Sequence, residues 1–251
     1  MGQRARQALM TVQIVDILRR SENGMTRPFI CRGDDDNTYF VKGKAAGRRS
    51  LIAELVCGRL AQSFGLPVAP FEIVTIDDRL ISLSHLSDIA DLGSGLAFGS
   101  RGVPQAQELQ FNKISDLDLT LRNDILVFDW WVRNSDRCMT SKGGNPNLVW
   151  DTLKDCLVVI DHNLAFEEDF NKKSFSETHI FSDSIGTLFG DLVERDRYES
   201  RLFGLLDQLD FVLDSIPDAW WWVDEGVPAL INRISIRNML NAISEEKFWR
   251  I

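Results

Sequence analysis

The sequence predicts an α+β fold in two parts, a small antiparallel β-rich region with one helix and a larger, mainly helical region. Two observations lead to this prediction. Short β-branched and aromatic runs, separated by polar turns, occupy the N-terminal part of the chain. Longer segments, with apolar residues three or four positions apart, dominate the remainder. The predicted domains are residues 1–88 and residues 89–251.

The composition of the chain argues against a nucleic-acid-binding or membrane-spanning protein. The chain has 251 residues, is 44% hydrophobic and carries a formal net charge of −9. Such an acidic chain argues against a nucleic-acid-binding surface, which needs clustered Lys and Arg. Its four cysteines form no CxxC pair, and no apolar run approaches the length of a membrane span. We expect a cytoplasmic protein with neither nucleic acid nor membrane among its partners.

The N-terminal strands come first in the chain. Val12–Leu18, Phe29–Arg32 and Thr38–Lys42 have the length and composition of strands, and polar turns separate them. The first turn contains Gly24 and Thr26, and Lys42 closes the third strand. These segments predict two hairpins in one antiparallel sheet.

A helix and two further strands complete the β-rich region. Ser50–Phe64 repeats apolar residues every three or four positions, with Ser50 as the expected N-cap and Glu54 on the helix. Val68–Ile76 and Arg79–Ser84 are predicted strands around a short acidic turn. Residues 93–102, rich in glycine, are predicted to form a loop.

The mainly helical region begins with Leu117–Val132, an apolar helix. Cys156–Ile160 is short and β-branched, as expected of a buried strand. Helices are predicted within Leu188–Leu213 and Val227–Phe248. Between them, Trp220–Trp222 places three indoles in succession, so at least one is expected to be partly exposed or to contact a partner.

Two acids and two amides lie around the predicted strand Cys156–Ile160. Asp136 is in a polar turn, Asn145 and Asn147 are in a second turn, and Asp161 follows the strand directly. Carboxylate and amide oxygens suit Mg²⁺, which takes hard oxygen ligands and usually only one or two protein carboxylates. This segment is the candidate site of the sequence.

The motifs around these residues resemble those of HipA-like kinases. The pattern N-x-D-R, then N-P-N-L, then I-D-H is similar to the catalytic segment of that family, and more distantly to protein and phosphatidylinositol kinases. Upstream, G-M-T-R-P, Y-F-V-K and A-E-L-V resemble its phosphate-covering loop, lysine strand and glutamate helix. The resemblance implies a bilobal, protein-kinase-like fold with a small β-rich N-lobe and a helical C-lobe.

The resemblance also implies an activity and its residues. The expected reaction is phosphoryl transfer from ATP, assisted by Mg²⁺, to a Ser or Thr of a protein acceptor. An antitoxin-type protein partner is a further implication. The implied catalytic residues are Asp136, Lys42 and Glu54; the implied nucleotide-binding residues are Gly24, Thr26, Lys42 and Asn147; the implied metal ligands are Asn147 and Asp161.

One departure from the family pattern leaves alternatives open. The metal-binding Asn normally follows the catalytic Asp by five positions, and Ser141 stands there in this chain. Asn147 is preferred over Asn145 because the apolar Leu148 and Val149 follow it, as in the kinase pattern. A pseudokinase, a small-molecule or lipid kinase, and a purely structural interaction domain remain as rival interpretations.

Overall fold

A computed structural model describes residues 11–22, 26–109, 111–140 and 143–251. Gly24, predicted to bind nucleotide, lies outside the described residues. The chain forms two compact units, the first made of residues up to Gly47 together with Pro70–Gly102, and the second of Arg48–Ala69 together with Val103–Ile251. The fold is therefore mixed α+β, as predicted, and the helix expected within residues 1–88 belongs by its contacts to the second unit.

The first unit is a closed barrel of five strands in the order β1-β2-β3-β5-β4. Neighbouring strands are antiparallel, except that β1 and β4 run parallel where the barrel closes. Ile14, Phe29, Val41 and Val74 are among its buried core residues. The three predicted N-terminal strands are confirmed. The strands are β1 Val12–Arg20, β2 Phe29–Gly33, β3 Thr38–Lys42, β4 Phe71–Ile76 and β5 Gly95–Arg101.

Two predictions for the first unit are wrong. Arg79–Ser84 is not a strand, because Asp78–Leu83 forms a helix, α2. Asp77 caps it by accepting a hydrogen bond from the Arg79 N–H at 2.7 Å, a local preference that favours a helix over the predicted strand. The expected loop at residues 93–102 contains β5, which pairs with both β3 and β4.

The glycines of residues 93–102 explain why β5 was predicted to be a loop. A Cβ atom added to Gly99 would lie 2.6 Å from Cγ1 of Val74 on the neighbouring strand, so glycine is required there for the strands to pack. Gly43 has a similar role directly after β3, where an added Cβ would lie 2.0 Å from the Leu92 carbonyl oxygen. The Lys44 N–H donates to that carbonyl at 2.8 Å and fixes the chain that follows Lys42.

The second unit is mainly helical and carries short strands. A sheet of order β10-β9-β6 and two hairpins, β7-β8 and β11-β12, accompany its helices. Its helices are α1 Gly47–Phe64, α3 Leu119–Trp131, α4 Lys172–Thr178, α5 Ile185–Gly190, α6 Leu192–Leu206, α7 Leu209–Asp214 and α8 Arg233–Asn241. Its strands are β6 Ala106–Glu108, β7 Cys138–Thr140, β8 Gly143–Asn145, β9 Leu148–Asp151, β10 Cys156–Val159, β11 Trp222–Asp224 and β12 Val227–Pro228.

The helix boundaries differ from prediction at several caps. Helix α1 starts at Gly47, so Ser50 lies inside it and is not its N-cap. The segment Leu188–Leu213, expected to be helical, is divided among α5, α6 and α7, and the Asp191 carboxylate caps α6 by accepting from the Val193 and Glu194 N–H groups. The helix expected over Val227–Phe248 is reduced to α8, because Asn232 starts it with a capping box.

Helix α3 organises the second unit. Trp130 and Trp131 at its C-terminal end are buried, and their indole N–H groups donate to the carbonyls of Phe248 and Leu240 at 3.0 and 2.9 Å. Burying two large indoles with both polar atoms satisfied fixes the end of the helix. The segment that contains Asp136 leaves the helix from this rigid base. In the part of the chain with described structure, no helix is long and apolar enough to span a bilayer.

Candidate active site

A β-hairpin, β7–β8, lies between Asp136 and Asn147 in the chain and brings the two asparagines back to Asp136. Strands β7 and β8 pair antiparallel, with Cys138 opposite Asn145 and Met139 opposite Gly144. A Cβ on Gly144 would lie 2.3 Å from the Cys138 carbonyl oxygen, so the close approach of the strands requires glycine. The chain therefore leaves Asp136, makes the hairpin and returns beside it.

Both asparagine side chains contact the same carboxylate oxygen. The Nδ2 groups of Asn145 and Asn147 each donate to Oδ2 of Asp136 at 2.9 Å. Asn145 is exposed and Asn147 is buried. Two amide donors restrict the orientation of the Asp136 carboxylate, so the three residues form one polar cluster.

A fully buried arginine lies behind this cluster. Nε of Arg137 donates to Oδ2 of Asp129 at 2.6 Å, and the two side chains are almost completely buried. Its Nη1 donates to the carbonyl oxygens of Asn147 at 2.7 Å and Ile160 at 3.2 Å. These carbonyls belong to Asn147 itself and to the residue before Asp161. Arg137 thus holds the backbone of both candidate metal-binding segments.

Asp129 is the anion that balances Arg137. Its Oδ1 accepts from Nδ2 of Asn134 at 2.9 Å, and its Oδ2 lies 3.1 Å from Nε2 of His179. Burial alone would raise the pKa of Asp129, but the Arg137 charge and the His179 hydrogen bond outweigh it and hold that pKa well below its usual range. Asp129 is therefore ionised at neutral pH.

His179 is neutral in this network. The Phe181 backbone N–H donates to its Nδ1 at 3.2 Å, which leaves Nε2 to carry the proton that faces Asp129. Burial lowers the pKa of His179 below its ordinary value, and the hydrogen bond to Asp129 only partly opposes that shift. A second proton on the ring would remove the acceptor that the Phe181 N–H uses.

Helix α1 holds the chain on the other side of Asp161. Oε2 of the buried Glu54 accepts from the backbone N–H of His162 at 3.0 Å. One turn earlier, Nη2 of Arg49 donates to the Ala165 carbonyl oxygen at 2.9 Å. Helix α1 therefore fixes the segment after Asp161 at His162 and again at Ala165.

Two candidate ligands adopt an uncommon backbone conformation. The φ angles of Asn147 and Asp161 are 48° and 58°, in the left-handed region that residues other than glycine seldom occupy. Asn and Asp tolerate this region better than other residues. The Ile160 N–H donates to the Asn147 carbonyl at 3.1 Å, so the two strained positions are adjacent in space. Such positions concentrate at functional sites.

The predicted site residues fall in two groups. Asp136, Asn147, Asp161 and Glu54 lie in the second unit, where the contacts above connect them. Thr26 and Lys42 lie in the first unit, and the Lys42 side chain is buried rather than solvated as strand-end lysines usually are. The pairing of Lys42 with Glu54 stays a prediction. Within the described residues, no three His, Cys, Asp or Glu side chains are grouped to hold a metal.

Sequence reasoning missed the supporting network. Asp129, Asn134 and His179 lie in segments whose patterns predict only helix and loop, and a buried polar network leaves no periodic signal. Arg137 had one indication, its place directly after Asp136 in the N-x-D-R motif. The motif thus contains a structural residue beside the candidate catalytic one.

The sequence of the chain matches a known protein family. The HipA-like kinase family matches residues 14–251, nearly the whole chain. The chain belongs to the HipA-like kinase family. The resemblance first indicated by N-x-D-R, N-P-N-L and I-D-H is confirmed, and a kinase-like function follows from membership.

Other comparisons are less informative. The crystal structure of the Helicobacter pylori proinflammatory kinase CtkA is similar at 11% sequence identity, covering 94% of this chain and 95% of that chain with a TM-score of 0.47. At that TM-score the similarity does not establish a shared fold. No curated protein matches the sequence.

The Arg137–Asp129 pair leads to a stability prediction for this HipA-like kinase. Arg137→Met removes the cation and leaves Asp129 buried without its main partner, which should lower the free energy of unfolding by about 3–5 kcal/mol. Arg32→Met is the matched control, because Arg32 pairs with Asp16 at 3.4 Å on the surface. Its effect should be below about 1 kcal/mol. Urea denaturation measures both, and equal effects would contradict the assigned role of Arg137.

The neutral His179 leads to a prediction about pH. Below pH 6.5, the ordinary pKa of histidine, an unfolded chain takes up a proton at this position that the folded chain resists. Stability should therefore fall with decreasing pH, by up to about 1.4 kcal/mol for each pH unit below this value. Asp129 adds a further loss once the pH falls through the ordinary carboxyl range, because its folded pKa is depressed.

Substitution of His179 isolates its contribution to the pH dependence of the unfolding free energy. His179→Gln keeps an N–H donor for Asp129 but cannot titrate, so its unfolding free energy should fall less between pH 7 and pH 5. His85→Gln, at an exposed histidine, should keep the wild-type pH dependence. Parallel pH profiles for wild type and His179→Gln would show that His179 does not resist protonation.

Proposed function

We propose that this protein is an ATP-dependent, Mg²⁺-assisted kinase that transfers a phosphoryl group to a Ser or Thr hydroxyl of a protein acceptor. The observation that carries the proposal is the convergence of Asn145 and Asn147 on one oxygen of Asp136. Membership of the HipA-like kinase family supports the same reaction class. We extend the proposal to the bilobal arrangement, with the barrel unit as the nucleotide-covering lobe.

Asp136 is the proposed catalytic carboxylate. Its Oδ2 is held by the two amides, so the carboxylate keeps a fixed orientation toward an acceptor hydroxyl. Its role is to accept or orient the hydroxyl proton as the acceptor oxygen attacks the γ-phosphorus of ATP. Preorganisation of this kind lowers the barrier because no reorientation is needed during the reaction.

The residues around Asp161 fit a magnesium ion. The donor set of Asn147 and Asp161 offers hard amide and carboxylate oxygens, as Mg²⁺ requires. The two residues are neighbours in space, and Arg137 and Glu54 fix the backbone on either side of Asp161. When bound, Mg²⁺ neutralises charge on the transferring phosphoryl group.

The remaining residues are assigned to the nucleotide phosphates. Lys42 ends β3 with a buried side chain and is proposed to meet the phosphate charge, with Glu54 as its partner. Gly24 and Thr26 lie between β1 and β2 in the sequence, in a segment that is proposed to cover the phosphates. Glu54 has a second function on this view, since it also holds the His162 N–H.

The longer interval between Asp136 and Asn147 no longer favours a pseudokinase. That interpretation rested on an apparent insertion that would displace the asparagine. The hairpin β7–β8 accounts for the extra residues, and both asparagines lie within hydrogen-bonding distance of Asp136. We therefore assign the amide of the proposed kinase site to these asparagines despite the altered spacing.

Nucleotide binding and transfer are tested separately. Mg²⁺-ATP should raise the melting temperature of the wild type by mass action, and Asp161→Asn should lose the Mg²⁺-dependent part of that rise. Asp136→Asn should still bind nucleotide but transfer phosphate about a hundredfold or more slowly. Asp196→Asn, at an exposed aspartate of α6, is the control and should match the wild type.

The acceptor class needs its own measurement. Transfer from radiolabelled ATP would be followed to Ser/Thr peptides, to glycerol and to phosphatidylinositol vesicles. Label on the peptides alone supports the proposal, and label on glycerol or the lipid would replace the protein acceptor with a small-molecule or lipid one. ATP binding without transfer to any acceptor would favour the pseudokinase interpretation.

Substitutions of Asn145 and Asn147 are expected to affect the Mg²⁺ requirement of the transfer reaction differently. Asn147→Ala should raise the Mg²⁺ concentration needed for half-maximal transfer, because Asn147 is the proposed metal ligand beside Asp161. Asn145→Ala should lower the rate at saturating Mg²⁺ and leave the Mg²⁺ requirement unchanged, because it only orients Asp136. Magnesium titrations of both variants would measure this, and the reverse pattern would assign the metal to Asn145.

A further inference from the structure

The tryptophan run of the sequence leads to a surface that the proposed kinase reaction does not use. Trp220 is fully buried, Trp221 is half-buried, and Trp222 is 51% exposed, which confirms that the three indoles do not share one core. Trp222 begins β11, and its neighbours in the hairpin β11–β12 are exposed along both strands. The hairpin therefore presents apolar side chains to solvent.

Exposed large apolar residues are concentrated around this hairpin. Five lie within residues 222–234, which we call the hairpin face: Trp222 (51% exposed), Val223 (58%), Val227 (51%), Leu230 (84%) and Ile234 (71%). Single exposed apolar residues are normal on protein surfaces. Trp222 and Val223 are consecutive on β11 and lie on opposite sides of it, so the segment exposes apolar area on both sides of the hairpin. A concentration of exposed apolar residues of this kind marks interaction sites.

The hairpin face has a defined backbone. Trp222 pairs with Pro228, Asp224 pairs with Val227, and the Ala229 N–H donates to the Trp221 carbonyl at 2.9 Å. The Arg233 guanidinium lies 5.2 Å from the Trp221 ring centroid and connects the start of α8 to the hairpin. A partner would therefore meet a preformed surface, which reduces the entropy lost on binding.

Acidic side chains outnumber basic ones around the hairpin face, which contains Arg233 and which Arg48 contacts by donating from Nε to the Trp222 carbonyl at 3.2 Å. Residues 202–232 contain six acidic side chains and no Lys, Arg or His. Asp210 and Asp214 are paired with Arg237 and Arg233. Asp224 and Glu225, at the turn of the hairpin, are exposed and make no ion pair with any residue in the described ranges. The apolar strands are thus joined by an acidic turn that makes no ion pair of its own within the described residues.

We propose that the hairpin face docks a basic, apolar polypeptide segment of a protein partner. Complementary charge would bring Lys or Arg side chains to Asp224 and Glu225, while apolar side chains cover Trp222 and Leu230. A second copy of this chain is disfavoured, because two acidic turns would meet. Nucleic acid and anionic lipid surfaces carry the same sign of charge as the turn and are disfavoured for that reason.

A defined peptide probe tests the proposal. A fluorescein-labelled peptide that alternates Val and Lys should bind, with fluorescence anisotropy as the readout and an affinity that falls as salt increases. Trp222→Ser and Leu230→Ser should each weaken binding about tenfold, because they remove apolar contact area. Both side chains are exposed, so an unchanged melting temperature should show that the variants are folded.

Matched controls separate the two contributions. Leu83→Ser removes an apolar residue of similar exposure, 76%, from the first unit and should leave binding unchanged. The pair Asp224→Asn and Glu225→Gln should weaken binding and flatten its salt dependence. Asp161→Asn should bind the peptide as the wild type does, so docking and the proposed phosphoryl transfer fail or succeed independently.

Several results would overturn the docking proposal. One is the absence of binding to the Val/Lys peptide, and another is equal binding by the wild type and the Trp222→Ser and Leu230→Ser variants. A Ser/Lys peptide that binds as tightly would reduce the effect to unspecific charge attraction. A wild-type dimer in sedimentation that Trp222→Ser dissociates would assign the hairpin face to a second copy of the chain.

Discussion

The buried ion pair between Arg137 and Asp129 is the constraint on which the candidate site depends. Removing two charges from water is costly, and the cost is offset only when every remaining donor and acceptor is used. Arg137 meets that condition by donating to Asp129 and to the carbonyls of Asn147 and Ile160. The same bonds that make the pair tolerable therefore fix the backbone of the proposed metal ligands. Stability and site geometry are coupled here, because loosening the arginine would expose an unpaired carboxylate and release both segments.

The sequence predicted those parts of the fold that follow one physical rule. Strands β1 to β3, helix α1 and strand β10 have apolar periodicity of the expected kind and lie close to their predicted positions. Where two rules compete, the pattern was misleading. Residues 79–84 were predicted to form a strand, but the capping carboxylate of Asp77 starts a helix. Gly99 suggests a loop, but it is present because Val74 packs against its backbone. A single sequence does not reveal which of two local preferences the tertiary contacts will support.

The candidate site shows the same division. Asp136 and Asp161 were predicted from short motifs, because their positions next to a turn and at a strand end are local features. The choice of Asn147 over Asn145 stays a prediction, because both side chains contact Asp136 beside a hairpin that the sequence did not predict. Asp129 and His179, 50 positions apart, meet only in the folded chain. Motifs therefore indicated the candidate residues, and the contacts around those residues became visible only in the three-dimensional structure.

The left-handed conformation of Asp161 has an evolutionary consequence. At a φ of 58°, Asn and Gly are accommodated as readily as Asp. Each of them is reached from an Asp codon by one base change. On the proposed role of Asp161 as a metal ligand, its carboxylate can be lost by one base change and at little cost in backbone strain, so a variant would lose catalysis while it keeps its fold. A variant that keeps the proposed docking surface would then bind its partner without transferring phosphate.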